Sequence, residues 1–531
     1  MIPQSAIKAF LKAPRDDHRW LKEFSDADLD AALKSIKPLP QLNQGLRKSQ
    51  KVGFLLGVAY PQFCFWYDMG TGKTVLSLEL LRYWWECGKI RRALVFVTSD
   101  KAFPTWEKQR SHWNIDIPYI ALSQPSSKEK WEALETFKEG LIFITYPAAV
   151  NMTTYWVKGK RGKKGGKPKN HMKLDPKLVA QLGKNVDALI LDESTRAGHF
   201  HSLTTKLCAK LRENVQFCYA LAGRPFGREP MMLWSQHHIV DGGETLGETL
   251  GLFRAAFYSE QDNPWDPKGF AKDYTFKKKM MPQLMRIVQH RSIAYSAEEC
   301  GIKSKFIPII EEVRLPEEAS AYYRKVVDNI IAAKGNLQEM KNAFMRMRQL
   351  SSGFLGFRND ESGDRVEIGF AENPKLDRLL ELIEEMPDDS KAVCFYDFTH
   401  TGRCIYHDLK EVGHDPIWLW SGNKNYAADL KMFMGDEACR VAIINNKIGA
   451  YSLDGLQVAN YCFFVESPVG VLDREQAERR LRRQGQQKVV LQYDLCVRGT
   501  LDGKILQFHR EGDDILAALR ANPKSLLEAL K

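Results

Sequence analysis

The stretch YDMGTGKT (67–74) ends in Lys73 and Thr74, and Gly70, Thr71 and Gly72 form a Gly-x-Gly turn ahead of a helical pattern, VLSLELLRYWW. A helix start behind such a turn offers free N–H groups and a positive dipole end to phosphate. Lysine adds a cation, and threonine adds a hydroxyl suited to a divalent ion. The strict phosphate-loop pattern has Gly where this chain has Asp68, so a turn without phosphate is the competing reading. A second set is Asp192 and Glu193 in LILDEST (189–195). Adjacent carboxylates at the end of a buried strand suit a Mg²⁺ ligand followed by a group that polarises water. An exposed acidic turn would show the same letters. The third set lies in QAERRLRRQGQ (476–486). On a continuous helix Gln476, Arg480 and Arg483 fall at i, i+4 and i+7, on one face. That face would present an amide and two guanidinium groups to an anion; a solvated or nucleic-acid-gripping basic helix is the alternative. Together the three sets contain what ATP hydrolysis asks for: a cradle, a carboxylate for Mg²⁺, a water-orienting group and positive charge at the transition state.

The elements that must position these residues read as α/β. Short apolar runs ending in polar residues recur at RALVFVTS (92–99), GLIFITY (140–146), DALILDES (187–194) and QFCYALAG (216–223). A second series is KAVCFYDF (391–398), DPIWLWSG (415–422), CRVAIINN (439–446), ANYCFFVES (459–467) and KVVLQYDL (488–495). Buried strands alternating with helices form doubly wound parallel sheets, which carry their chemistry just beyond the strands' carboxyl ends. The expected organisation is an N-terminal extension (1–44), a first lobe (45–241), a mainly helical insertion and linker (242–374), a second lobe (375–510) and a C-terminal helix (511–531). The Lys-rich segment VKGKRGKKGGKPKNHMK (157–173) reads as a solvated loop able to grip phosphates.

A chain of 531 residues is too long for one core. Its net charge of +11 fits a partner made of phosphates without requiring one. The ten cysteines form no C-x-x-C pair, which points to reduced thiols rather than a zinc or redox motif. The pair His237–His238 reads as polar helix surface. The N-terminus lacks a signal-peptide core, and the longest charge-free run, 52–67, falls short of a membrane span. A cytoplasmic protein without a membrane partner is expected, in a bacterium or in the host cell of a virus.

Taken in order, these segments resemble the motifs of the Swi/Snf class of superfamily two helicase-like ATPases, over about residues 45–510. LRKSQKVGFLL (46–56) resembles the adenine-reading segment, LVFVTSDKAFPTWEKQ (94–109) and ITYPAAV (144–150) early nucleic-acid contacts, and LAGRPFGREPMMLWSQHHIV (221–240) the coupling motif. VRLPEEASAYY (313–323) and MRQLSSGF (347–354) are similar to the segments joining the lobes, and NNKIGAYSLDGLQ (445–457) and RGTLDGKILQ (498–507) to those completing the second lobe. The resemblance implies two RecA-like lobes with ATP and Mg²⁺ held between them. It gives Gln50 to adenine, Lys73 to the phosphates, Thr74 and Asp192 to the metal and Glu193 to the attacking water. Arg480 and Arg483 become arginine fingers, with Gln476 beside them at the nucleotide. Thr98, Thr145 and Lys447 become contacts to a nucleic-acid backbone. The implied activity is that of a monomeric DNA translocase gripping duplex phosphates. A strand-separating, fork-reversing or annealing helicase on DNA or RNA, or an ATP-gated nucleic-acid clamp, are the rival readings. Arg224, Ser452, Asp454 and Thr195 depart from the class, which has Thr, Gly, Asn and His at those positions.

Overall fold

In β1 (Gln62–Tyr67), Cys64 and Trp66 enter one core layer while Phe63, Phe65 and Tyr67 enter the other. A strand buried on both faces in this way belongs inside a parallel sheet. In the computed structural model, which describes residues 2–511 apart from 44, 69, 159–169, 224, 227–228, 263–271, 303–305, 333–336, 359–364, 424, 450–454 and 484, β1 is an inner strand of seven. The others are β2 (Arg92–Val97), β3 (Tyr119–Ala121), β4 (Gly140–Thr145), β5 (Ala188–Asp192), β6 (Phe217–Ala222) and β7 (Ser292–Tyr295). They run parallel in the order β7-β1-β6-β5-β2-β4-β3. Each fully buried Phe in these layers contributes about 2–3 kcal/mol. The helices that matter for the site are α1 (Lys48–Ala59), α2 (Lys73–Glu86), α3 (Phe103–His112), α4 (Tyr146–Met152) and α5 (Met231–Asp241).

Two glycines set the distance between α1 and α2. A Cβ on Gly53 would lie 2.6 Å from Leu76 Cδ2, and one on Gly57 would lie 2.6 Å from Leu80 Cδ1. Only residues without a side chain at i and i+4 let the helices press together this closely. Tyr67 adds a tie, its hydroxyl donating to the Ser49 carbonyl at 2.7 Å.

The second sheet contains β8 (Phe306–Val313), β9 (Ala392–Tyr396), β10 (Ile417–Leu419), β11 (Val441–Asn445), β12 (Tyr461–Phe464) and β13 (Val490–Val497). It too is parallel, in the order β8-β13-β12-β9-β11-β10. Around it lie α6 (Glu317–Ala332), α7 (Leu337–Ser351), α8 (Pro374–Glu384), α9 (Thr399–Glu411), α10 (Val471–Leu481) and α11 (Leu501–Glu511).

The chain divides into two units, Met1–Gly301 and Ile302–Lys531. The division falls inside the 242–374 span, which holds helices but also supplies β7 to the first sheet and β8 to the second. Within the first 44 residues, Phe10 packs edge-on against Phe257, and Leu29 and Leu33 are buried in the first unit's core. The ends of the Lys-rich segment pair as an antiparallel hairpin, Thr154–Val157 with His171–Leu174. Its middle, 159–169, lies outside the described residues, as does all of the expected C-terminal helix beyond Glu511. Among the described residues, no helix is long and apolar enough to cross a membrane.

Candidate functional site

The loop from β1 to α2 turns on two glycines. Gly70 and Gly72 have φ of 77° and 92°, the left-handed region where a Cβ is costly. Asp68, at the position where the strict pattern has Gly, does structural work instead. Its N–H donates to the Tyr295 carbonyl at 2.9 Å, and its Oδ2 accepts the Ala297 N–H at 3.0 Å. The loop is thereby pinned to the segment after β7. Thr71 closes the turn by donating its hydroxyl to the Asp68 carbonyl at 2.5 Å. Lys73 begins α2, and its Nζ donates to the Tyr67 carbonyl at 2.7 Å. Thr74 follows on the first turn, half-buried.

β5 delivers the acid pair to the same edge of the sheet. Glu193 Oε1 lies 4.0 Å from Lys73 Nζ. Glu193 itself adopts φ 51° and ψ 58°, a left-handed conformation that costs a non-glycine residue about 1 kcal/mol or more. Asp192 Oδ2 accepts the Trp106 Nε1–H from α3 at 3.0 Å, and its carbonyl accepts the Tyr146 hydroxyl at 2.9 Å. Burial and the neighbouring Glu193 carboxylate push the Asp192 carboxyl up to about 6, against the pull of Lys73 and the Trp106 hydrogen bond. A carboxylate held at this cost suits a divalent cation, which would restore its charged form.

Gln50 sits over the cradle because the glycine-mediated approach of α1 puts it there. It is 4% exposed. Its Nε2 donates to the Gly72 carbonyl at 3.2 Å, and its Oε1 accepts the Arg47 N–H at 2.8 Å. A Cβ on Gly72 would fall 2.2 Å from Gln50 Nε2. One N–H and one oxygen lone pair of the amide remain for a ligand, the pair of groups needed to recognise an adenine edge. The residues around this loop therefore fit a nucleotide with its metal: Gly70, Thr71, Gly72 and Lys73 for phosphates, Thr74 and Asp192 for Mg²⁺.

Two residues missed in the sequence connect this site to its surroundings. Ser194, just past the acid pair, donates to Gln236 Oε1 at 2.6 Å. Gln236 in turn donates to the carbonyls of Met232, at 3.1 Å, and Pro225. The coupling segment is thus tied to the acid pair through one buried amide. Its neighbour corrects an expectation: His237 is 0% exposed, edge-on to Trp66 with ring centroids 5.5 Å apart, rather than on a polar surface. The burial follows from α5 packing on the sheet, with nearly all of its residues in the core. Arg224, in that segment, lies outside the described residues, as do Ser452 and Asp454.

In the second unit Gln476 and Arg480 stand one turn apart on α10, and Arg480 is buried. The helix ends at Leu481. Arg483 therefore occupies the following turn, closed by Gln486 N–H donating to the Arg483 carbonyl at 3.1 Å and by Gly485 at φ 101°. The single helical face expected for all three residues holds for the first two only. Behind α10, Arg474 is buried across Phe464, its guanidinium carbon 3.5 Å from the ring centroid. It donates to Asp494 Oδ2 at 2.8 Å, to Glu478 at 2.6 Å and to Ser467 at 2.7 Å. Ser467 offers its carbonyl to Arg348 of α7 at 2.9 Å, and Arg348 also holds Asp397 at 2.6 Å. Asn446 completes the chain, donating to Asp397 at 2.8 Å and to the Glu466 carbonyl at 2.7 Å. Hydrogen bonds thus run without a break from α10 to the residue before Lys447.

Lys447 is exposed just past the end of β11. Thr98 follows the end of β2 and is half-buried. Thr145 ends the adjacent strand β4, where it is 6% exposed and its hydroxyl accepts the Ala148 N–H at 3.2 Å. That oxygen caps α4, which restricts its reach toward any partner.

No family model and no curated protein matches the chain. Solved structures do. The SWI2/SNF2 ATPase core of Sulfolobus solfataricus in complex with dsDNA aligns at 18% identity and a TM-score of 0.38, covering 93% of this chain and 98% of that one. The chain is similar to that core. The same core domain without DNA gives 17% identity and a TM-score of 0.38, over 93% and 96%. The C-terminal part of the Fun30 ATPase domain gives 18% identity and 0.34, over 39% of this chain and 89% of that one.

Proposed function

We propose that this protein is a nucleic-acid-dependent ATPase that moves along duplex DNA. The observation that carries the reading is the convergence at one sheet edge of a glycine cradle, Lys73 and an acid pair, with Lys73 Nζ 4.0 Å from Glu193. Gln50 is assigned to adenine, Gly70 to Lys73 to the phosphates, and Glu193 to the attacking water. Thr74 and Asp192 would hold Mg²⁺, which when bound neutralises phosphate charge. Gln476, Arg480 and Arg483 are assigned to the charge that develops during hydrolysis. Thr98, Thr145 and Lys447 are assigned to backbone phosphates, contacts that carry no sequence information and weaken with salt.

The test is steady-state ATP turnover with no polymer, duplex DNA, single-stranded DNA or RNA, using Lys73→Ala as the blank. Stimulation by duplex that disappears in the variant supports the reading. Stimulation by single strands or RNA alone replaces duplex DNA with that polymer, and turnover equal to the blank removes the ATPase.

A further inference from the structure

We propose that the carboxyl edge of the second sheet carries a separate binding site for linked phosphates, formed by Arg314, Arg498 and Arg324. Strands β8 and β13 run parallel with Val313 opposite Val497. The next residues, Arg314 and Arg498, therefore leave the sheet side by side, and Arg498 N–H donates to the Val313 carbonyl at 2.9 Å. Adjacent strands lie about 4.8 Å apart, so two like charges start from neighbouring positions and repel unless an anion lies between them. Arg324 on α6 adds a third guanidinium; its Nε donates only to Ser320 of its own helix, at 3.4 Å.

Three buried or half-buried arginines of this unit are paired: Arg348 with Asp397, Arg378 with Glu311 and Arg474 with Asp494. Among the described residues Arg314, Arg324 and Arg498 have no ion pair. All three are exposed and line one cavity of about 770 Å³. Asp328 lines it too, so among the described residues three guanidinium groups and one carboxylate line the cavity. The volume exceeds what a single phosphate needs and falls in the range of ligand sites of about 300–1,000 Å³. Planar guanidinium forks pair well with phosphate oxygens. The start of α11 is not the source of charge. Its Leu501 N–H is taken by the Tyr323 hydroxyl at 2.8 Å and its Asp502 N–H by Thr500 at 3.3 Å. Tyr323 accepts there, and the same residue lines the cavity.

The ligand is a polyanion of consecutive phosphates, either a free polyphosphate or a nucleic-acid backbone. The inference stands apart from the proposed ATPase, because it uses none of the residues assigned there to ATP, Mg²⁺ or the nucleic-acid backbone. The test compares the full chain with Arg314→Gln/Arg498→Gln, in both wild-type and Lys73→Ala backgrounds. Calorimetry reads inorganic tripolyphosphate, and fluorescence anisotropy across a salt series reads a short blunt DNA duplex. In the Lys73→Ala background the double variant should weaken at least one probe by about tenfold or more. Arg314→Lys/Arg498→Lys should recover part of the loss. Weaker duplex binding with a salt slope reduced by about 2 assigns the site to nucleic acid; loss of tripolyphosphate binding alone assigns it to free polyphosphate. If the double variant loses thermal stability, Arg324→Gln gives the same reading from an exposed helical position. Unchanged binding of both probes by a stably folded variant overturns the proposal.

Discussion

Lys73 Nζ donates to the carbonyl of Tyr67 at 2.7 Å and stands 4.0 Å from Glu193 Oε1. The lysine is thus held by the backbone of its own loop, and the acid that faces it is not its hydrogen-bond partner. In the proposed reading Lys73 serves phosphate and Glu193 the attacking water. Lys73→Ala should reduce ATP turnover by about 10³-fold, with thermal stability little changed. Turnover above a tenth of wild type, in protein shown to be folded, would contradict this role.

Asp192 supplies the pH dependence. Burial and Glu193 raise its carboxyl to about 6, so the ionised form that would hold Mg²⁺ in the proposed reading is lost as pH falls through that value. The acid limb of turnover at low Mg²⁺ should lie near pH 6. Trp106→Phe removes a hydrogen bond that favours the charged form, so the limb should move to higher pH. The stability effect has the opposite sense. With its folded pKa above the unfolded value near 3.9, Asp192 contributes stability below that unfolded value and loses it as pH rises through about 6. Asp192→Asn should therefore raise Tm relative to wild type at pH 8 and bring little gain at pH 4. Scanning calorimetry at the two pH values checks the sign.

Gln50 depends on a contact made elsewhere. Gln50→Ala should raise KM for ATP and reduce discrimination against GTP, leaving kcat for saturating ATP closer to wild type. Gly57→Val inserts carbon atoms where a Cβ already falls 2.6 Å from Leu80. It should cost about 1–3 kcal/mol and, by lifting α1 from α2, weaken ATP binding without touching the nucleotide. Urea denaturation with ATP titration separates the two effects.

Arg474 and Asp494 are both buried and joined by paired hydrogen bonds. Arg474→Ala leaves an unpaired carboxylate and should destabilise the second unit by about 3–5 kcal/mol. Arg474→Met/Asp494→Leu should recover much of that loss, because no buried charge is left alone. A double variant no more stable than Arg474→Ala would show that Ser467 and Glu478, rather than the ion pair, hold Arg474 in place.

The strands with long apolar runs were legible in the sequence, as were Gly70 to Thr74 and the acid pair, because each carries a local pattern of burial and chemistry. β7 was not: Ser-Ile-Ala-Tyr is too short to show a period, and only pairing with β1 makes it a strand. β8 was hidden differently, since its exposed Ile307 and Ile310 and its two glutamates blur the alternation. Gln476, Arg480 and Arg483 share a helical spacing, and spacing says nothing about the turn at Gly485 that takes Arg483 off the helix. Gln236, Arg348 and Arg474 act through partners 42, 49 and 20 residues away in the chain, distances over which no sequence pattern points.

The most direct test of the central claim is displacement of a third strand from a blunt, fully paired DNA duplex, with ATP, without nucleotide and with Lys73→Ala. Movement along duplex DNA predicts ATP-dependent release of the third strand by the wild-type protein only, with the duplex strands left paired. Duplex-stimulated hydrolysis without any release, or release accompanied by separation of the duplex strands, would contradict it.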